Sequence, residues 1–279
     1  MIKLKTLLGS LILLTLLSGC AEGWLYKNPR FVVAWYIDDY VDLNKQQQQM
    51  LNEQLNALQL WHQNQELPLY IDHLSELETW SQQGIQSSDV IQHGQRFNQH
   101  WHRFVERIAP KLYALGLSLS PQQHAELFAN INAKYQEREA EYLEQTQQQR
   151  QEENYDKIVE QAQKWMGELN SQQLEEIERL QSQLRPTQHA WMTFRKQRTQ
   201  ALEKLLQQAY SSENQQQFIQ LMIYDESKLS PQLQADLAFN RTQWQQSITA
   251  VIQAAKPEQR QHLKEQFAIW RERFEDWVS

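Results

Sequence analysis

Cysteine is almost absent from this sequence: among its 279 residues only Cys20 carries a thiol. A single cysteine excludes an intramolecular disulfide and any metal site built from several thiolates. The sequence also lacks an H-E-x-x-H pair, a nucleophile elbow and a glycine-rich phosphate loop. Without these motifs we predict that the protein is not an enzyme and that it uses no cofactor.

Strand signals and helix breakers are scarce as well. No stretch alternates β-branched and polar residues over a useful length, and the chain has only seven glycines and seven prolines. Pro121, Pro231 and Pro257 stand where apolar-periodic segments begin, which is the tolerated first position of a helix. The pattern therefore predicts an all-α, elongated bundle of about eight to ten helices.

The bounds of the expected helices follow from apolar residues that recur at helical spacing. They are 29–41, 44–64, 67–83, 88–115, 121–166, 171–184, 187–210, 212–227, 231–254 and 257–277. The fifth would be one long helix, although residues 144–154 carry no apolar stripe. A helix that is polar all round either bridges packed regions or is unstable. We therefore place a boundary between two sub-bundles, or a protruding arm, near 144–154.

The N-terminus has the pattern of a secretory signal. Lys3 and Lys5 precede an apolar run that is too short to span a bilayer comfortably, and small residues follow it. The run ends in L-S-G-C at Cys20, which resembles the lipobox of bacterial lipoproteins. The resemblance implies that residues 1–19 are a cleaved signal peptide and that the thiol carries a diacylglyceryl group.

The same resemblance predicts the location of the mature chain. Residues 20–30 would be a lipidated tether and residues 31–279 an all-helical periplasmic region. Ala21 follows the cysteine where an aspartate would retain a lipoprotein in the inner membrane. We therefore expect a protein anchored to the outer membrane, on its periplasmic face, with the membrane and other envelope proteins as partners.

The charge of the chain makes nucleic acid a poor partner. The formal net charge is −7, and removal of Lys3 and Lys5 leaves 25 basic residues against 34 acidic ones. Phosphate backbones require a basic face, and none of the expected helices supplies one. We predict no nucleic-acid binding.

A quasi-repeat marks the start of several expected helices. Its copies are L-N-K-Q-Q from residue 43, L-S-P-Q-Q from 119, L-N-S-Q-Q from 169 and, less well, L-S-P-Q-L from 229. The pattern is that of a capping box, in which a Ser or Asn cap and a Gln three residues later satisfy two backbone N–H groups. It also resembles the L-T-x-x-Q motif of Spy-type periplasmic chaperones, which hold unfolding clients without ATP. Capping without a shared function is the favoured interpretation.

A second resemblance lies near the start of the mature chain. The run W-Y-I-D-D-Y-V-D-L from residue 35, W-H at 61 and E-L-P-L-Y from 66 resemble a family of proteobacterial lipoproteins of unknown function. The candidate functional cluster taken from these motifs is Trp35, Asp38, Asp39, Asp42, Trp61, His62, Glu66 and Tyr70. The family implies a location and a helical fold, and it implies no catalytic residue.

Two interpretations of the acidic residues in this cluster remain open. Asp38 and Asp42 lie four residues apart on one helix face, so a metal ion could join them, with His62 as a further ligand, in a metal-dependent envelope enzyme. Ordinary pairing with Arg30 or Lys45 is the favoured alternative. His93, His100 and His102 suggest a similar site, but the last two point to different helix faces and do not predict a shared metal.

The aromatic residues also have two interpretations. Trp101, Trp270 and Trp277 occupy stripe positions, where packing in the core is favoured over a binding groove. Trp35 and Tyr36 would either rest among lipid headgroups or, as we favour, be buried in the bundle. Together with the capping repeats, these features predict non-covalent binding of other envelope proteins, in a chaperone-like or scaffolding manner.

Overall fold

A computed structural model describes residues 23, 25–223 and 225–278, and this part of the chain is helical with no strand. The α-helices are α1 Pro29–Asp38, α2 Lys45–Trp61, α3 Leu67–Trp80, α4 Ser87–Leu117, α5 Pro121–Glu144, α6 Gln147–Met166, α7 Ser171–Gln183, α8 Gln188–Leu206, α9 Ser212–Met222, α10 Pro231–Gln253 and α11 Pro257–Val278. The all-α prediction is confirmed. The predicted signal peptide and Cys20 lie outside the described residues. Within those residues, no helix combines the length and the apolarity that a bilayer crossing needs.

The predicted break between the second and third helices is a π-helical turn instead. Residues His62–Glu66 join α2 to α3 without interruption. Pro68 has no N–H to donate and its ring crowds the preceding turn, and the wider π-turn lies just before it. Glu66 is the last residue of that turn, and its side chain is only 2 % exposed. The turn therefore accompanies a carboxylate buried in the interior.

The predicted long helix over 121–166 is wrong, because the chain breaks at residues 145 and 146. Gln145 is extended, and Thr146 starts the next helix with a capping box in which its hydroxyl accepts from the N–H of Gln149 at 3.2 Å. Arg150 secures the corner by stacking on the ring of Tyr142, 4.3 Å from its centroid. The break lies within 144–154, where the sequence predicts a boundary. Division into domains stays a prediction.

The described helices pack around two separate apolar regions. One region contains buried side chains from α3, α6, α7, α10 and α11, and we call it the first half. The second half packs α1 and α2 with the C-terminal part of α4, and continues through α5, α8 and α9. Helix α4, 31 residues long, runs through both halves. The two halves are interleaved along the chain, since α3 belongs to the first half, while α2 before it and α5 after α4 belong to the second.

Each half contains a pair of capping glutamines, and three of the four belong to the quasi-repeat, while the fourth, Gln259, caps the start of α11. In the second half, Nε2 of Gln47 lies 3.0 Å from Oε1 of Gln123, and it also donates to the carbonyl of Ser118 at 2.8 Å. In the first half, Nε2 of Gln259 donates to Oε1 of Gln173 at 2.9 Å. Each of these four side chains also accepts from the backbone N–H at the start of its own helix. The repeat thus caps helices and joins them in pairs.

Candidate functional site

The first half encloses an apolar cavity of about 750 Å³, between α3, α4, α6, α7, α10 and α11. We call it the tryptophan cavity, because Trp80, Trp165 and Trp244 line it. Further lining residues are Leu77, Phe97, Ala162, Met166, Ile177, Leu180, Ile248, Val251, Leu263 and Phe267. Ligand sites in proteins typically measure about 300–1,000 Å³ and are mostly apolar with a few polar groups. The cavity therefore has the size and character of a ligand site.

Two buried polar atoms in the lining of this cavity have no hydrogen-bond partner among the described residues. They are the indole Nε1 of Trp80 and the amide Oε1 of Gln181. The first is a donor and the second an acceptor. Buried polar groups in folded proteins are nearly always paired, and an unpaired one costs roughly 1–3 kcal/mol. A ligand that accepts from one atom and donates to the other would remove this cost.

A row of polar side chains leads from the π-turn to the wall of the cavity. Arg103 donates from Nε and Nη2 to the two carboxylate oxygens of Glu66, at 2.7 and 3.1 Å. Nη2 of Arg103 also lies 2.6 Å from Nδ1 of His100. Nε2 of His100 is 3.3 Å from Nδ1 of His73, whose Nε2 is 3.0 Å from Nδ1 of His93. We call these five residues the histidine row, and His93 lines the cavity.

The direction of every hydrogen bond in the histidine row follows from its first member. A guanidinium can only donate, so Nδ1 of His100 must accept and its Nε2 carries the proton. Nε2 of His100 therefore donates to Nδ1 of His73, and Nε2 of His73 donates to Nδ1 of His93. These donors fix one neutral tautomer for His100 and one for His73. Burial lowers the pKa of His73 to about 4, and it also lowers the pKa values of His93 and His100. The row is therefore neutral apart from its ion pair at neutral pH.

The histidine row is not arranged as a metal site. Both ring nitrogens of His73 already face another imidazole. In the part of the chain that the structure describes, no three His, Cys, Asp or Glu side chains are grouped to hold an ion. The geometry therefore gives no support to the alternative of a metal-dependent enzyme, in which Asp38, Asp42 and His62 would share a metal.

Half of the predicted cluster does come together. The rings of His62 and Tyr70 meet edge to face at 5.4 Å between centroids, and Trp61 lies beside His62. The hydroxyl of Tyr26 is 2.9 Å from Nδ1 of His62. Tyr70 continues the contact to the ring of His100, 4.6 Å away and edge-on. The predicted residues after position 60, Glu66 included, therefore border the histidine row.

The other half of the predicted cluster is separate and exposed. Asp38 is exposed, and Asp39 forms an ion pair with Lys134 at 3.5 Å. The backbone carbonyl of Asp42 accepts from Nε2 of Gln123 at 2.6 Å, while the residue itself is exposed. The favoured interpretation was that Asp38 and Asp42 pair with Arg30 or Lys45. Among the described residues the ion pair of this cluster is instead that of Asp39 with Lys134.

The prediction that the tryptophans pack in the core is only partly right. Trp270 packs against the first-half core, and the ring of Trp277 stacks on Tyr26 at 4.3 Å. Trp101 is 57 % exposed, against expectation. The favoured burial of Trp35 and Tyr36 is also wrong, since more than half of each side chain is exposed. Helix α1 is only ten residues long and, among the described residues, buries none of its side chains fully.

Several site residues were not predicted from the sequence. His73, Trp80, Arg103 and Gln181 each lie far along the chain from at least one neighbour in the site, and periodicity gives no information about such contacts. One local signal was present: Arg103 follows His100 by three residues, which places both on one helix face.

The fold and the cavity define a class: an all-helical protein whose interior holds a ligand-sized apolar space. The profile of a family of unknown function, DUF6279, matches residues 39–234, and the chain belongs to this family. The expected membership in a family of unknown function is therefore confirmed. No curated protein and no solved structure matches the chain.

Proposed function

We propose that the protein is an outer-membrane lipoprotein that binds apolar segments of other envelope proteins non-covalently in the tryptophan cavity. The observation that carries the proposal is the cavity of about 750 Å³ itself, which is mostly apolar and holds unpartnered polar atoms on two lining residues, Nε1 of Trp80 and Oε1 of Gln181. Every peptide group other than proline offers one acceptor and one donor, which is the complement of this pair. Apolar side chains of the same segment would fill the remaining space.

Chaperone-like holding or scaffolding suits such a site. The contacts are non-directional apart from two hydrogen bonds, so the site selects apolar segments rather than one sequence. Phe97, Trp244 and Ile248 line the cavity and are also exposed, so they form its open rim. A client would therefore enter past these three residues without unfolding of the bundle.

The proposed location rests on the lipobox and on helix α1. Cys20 precedes α1 by nine residues, which reach at most about 30 Å. The exposed aromatic residues Phe31, Trp35 and Tyr36 are close to this anchor. Aromatic rings with one polar edge favour the headgroup layer of a bilayer. We propose that this face of α1 rests on the periplasmic surface of the outer membrane.

Client binding is tested with the lipoprotein in phosphatidylcholine nanodiscs and dye-labelled reduced insulin B chain, by fluorescence anisotropy. A Cβ added at Gly94 has no heavy atom within 4 Å, and Gly94 lines the cavity. Gly94→Trp should therefore fill the cavity and lower client affinity at least ten-fold. Gly84 has the same free space outside the cavity lining, so Gly84→Trp is the matched control and should bind normally. Equal binding by both variants would reject the proposal.

The anchor is tested by fractionation of cells. The wild-type protein should remain with outer membranes after a carbonate wash, and Cys20→Ser should stay unprocessed. Normal processing of the Cys20→Ser variant, with the mature chain still in the membrane fraction, would contradict the lipidation.

A further inference from the structure

The second half contains another apolar cavity, of about 500 Å³, whose lining differs from that of the first. It lies between α1, α4, α5, α8 and α9. Apolar residues from these helices form most of its wall: Ile37, Leu112, Leu127, Phe128, Ile131 and Leu202. Its charged lining residues are Lys134, Arg138 and Arg198, with no carboxylate among them. We call it the arginine cavity.

Arg198 is the unusual member of this lining. Its Nε is buried without a hydrogen-bond partner among the described residues, and none of their carboxylates forms an ion pair with its guanidinium. Its guanidinium carbon lies 5.8 Å from the centroid of the ring of Phe194. The residue as a whole is half-buried, and a cation partly removed from water without a partner is costly. An anionic ligand that pairs with the guanidinium would offset the cost of Arg198 at this position.

The surroundings of Arg198 add to the positive charge. Arg195 lies one turn earlier on α8 and opposes the charge of Arg198, while Tyr135 on α5 is the nearest ionisable hydroxyl. That hydroxyl is held by Thr199 at 3.1 Å. Lys134 pairs with Asp39 and covers the ring of Tyr40 at 5.1 Å, so it is compensated. Arg138 also lines the cavity, its charge lies near Tyr40, and it forms no ion pair with a described carboxylate. The uncompensated charge is therefore shared by Arg138 and Arg198, and of the two only Arg198 has a buried nitrogen without a partner.

We propose that the arginine cavity binds a long-chain fatty acid, with the acyl chain among the apolar residues and the carboxylate on the guanidinium of Arg198. The planar fork of arginine matches a carboxylate through two parallel hydrogen bonds. A volume of about 500 Å³ lies inside the range of about 300–1,000 Å³ for small-molecule sites and suits one chain better than a two-chain phospholipid. Tyr36 lines the cavity and belongs to the exposed aromatic face of α1.

This site is independent of client binding in the tryptophan cavity. The test uses the lipoprotein in phosphatidylcholine nanodiscs with a diazirine-bearing palmitic acid, photolysis and peptide mapping by mass spectrometry. Adducts should fall on lining residues of α5 and α8, and excess dodecanoate should displace the label. Dodecanol, which has the same chain and no charge, should displace it at least ten-fold less well.

The decisive variants are a matched pair on α8. Arg198→Met keeps the length of the side chain and removes its charge, and it should lower labelling at least ten-fold. Arg195→Met removes an exposed charge outside the cavity lining that only adds to the positive charge around Arg198, so it should lower labelling at most about two-fold. Thermal unfolding separates the roles: Arg198→Met should melt at the wild-type temperature or higher, whereas a structural arginine would lower it. Equal labelling of both variants, equal competition by dodecanol, adducts elsewhere, or displacement by phosphatidylglycerol but not by dodecanoate would overturn the proposal.

Discussion

The two halves of the molecule share a construction and differ in charge. Each half joins two helix starts through a pair of capping glutamines, and each encloses an apolar cavity. The lining of the tryptophan cavity contains one lysine and no arginine, and this lysine, Lys157, forms an ion pair with Glu153 at 3.4 Å. The arginine cavity has three cations and no carboxylate in its lining. The comparison teaches that similar helical packing can create a site for a neutral segment in one place and for an anion in another.

The two halves differ most in how a charged side chain in the interior is paired. Glu66 in the first half is neutralised by Arg103, whereas Arg198 in the second half has no counterpart. Arg103→Met should destabilise the protein by about 3–5 kcal/mol, because it leaves a carboxylate buried without its cation. Arg107→Met, one turn further along α4 and exposed, is the control and should cost little. Chemical denaturation measures both, and equal losses would show that Glu66 does not need Arg103.

The glutamine pairs test whether the two halves are equally dependent on their caps. Gln173 is fully buried, and its Nε2 donates to the carbonyl of Val251 at 2.9 Å, whereas Gln123 is only half-buried. Gln173→Ala should cost about 2–3 kcal/mol and Gln123→Ala about half of that, since unpaired buried groups are the more expensive ones. The exposed neighbour Gln172→Ala is the control in urea unfolding. Equal losses of unfolding free energy for Gln173→Ala and Gln123→Ala would show that the two halves depend equally on their capping glutamines.

Replacement of Arg198 should raise the stability of the protein rather than lower it. Arg198→Met should stabilise the ligand-free protein by roughly 0.5–1 kcal/mol, because a half-buried charge without a partner is replaced by an apolar side chain of similar length. Arg195→Met should change the free energy of unfolding less, because that side chain is exposed and only adds to the positive charge around Arg198. Differential scanning calorimetry of both variants checks this, and a marked loss for Arg198→Met would mean that the guanidinium has a structural partner in the fold.

Acid should weaken the first half through the histidine row. Burial, with the nearby charges of Arg96, His93 and His100, lowers the pKa of His73 to about 4, while Glu76 opposes the shift. The unfolded chain titrates near 6.5, so it binds more protons than the folded protein between these values. Stability is therefore full above pH 6.5 and falls as the pH drops towards 4, by about 3 kcal/mol.

His73→Phe isolates this effect, since phenylalanine does not titrate. The variant should be less stable at pH 7 and should lose less stability than the wild type between pH 6.5 and 4. The exposed His189→Phe variant should keep the wild-type pH dependence. Unfolding curves at pH 7.0, 5.5 and 4.5 give the comparison, and identical slopes for all three proteins would exclude His73 as the source.

The sequence predicted the parts of this molecule that depend on near neighbours. Prolines at helix starts and the capping repeat located the starts of five helices, α2, α5, α7, α10 and α11, because those signals act within four residues. The break before Gln147 had a signal of the same kind, since Thr146 and Gln149 form a capping box. It was missed because apolar stripes on both sides indicated one helix. The π-turn at His62–Glu66 replaced a predicted gap, because Pro68 alone does not distinguish a break from a bulge.

The sites depend on distant neighbours and could not be predicted in this way. His73 and His100 are 27 positions apart, and Gln173 and Gln259 are 86 apart. Nothing in the local sequence around Arg198 indicates that it lacks a partner, and nothing around Trp80 indicates that its N–H is unpaired. Glu66 and His62 were selected from a family resemblance, and they do border the histidine row. Asp38 and Asp42 came from the same resemblance and are exposed on the surface.

The most direct test of client binding is photo-crosslinking from the rim of the tryptophan cavity. Benzoyl-phenylalanine at Ile248, an exposed lining residue, should form an adduct with labelled insulin B chain, and the added Gly94→Trp substitution should abolish it. The same photo-reactive residue at Leu60, which is exposed outside the cavity lining, should form none. Adducts of equal yield from both positions, or an adduct at 248 that persists with Gly94→Trp, would contradict binding in the cavity.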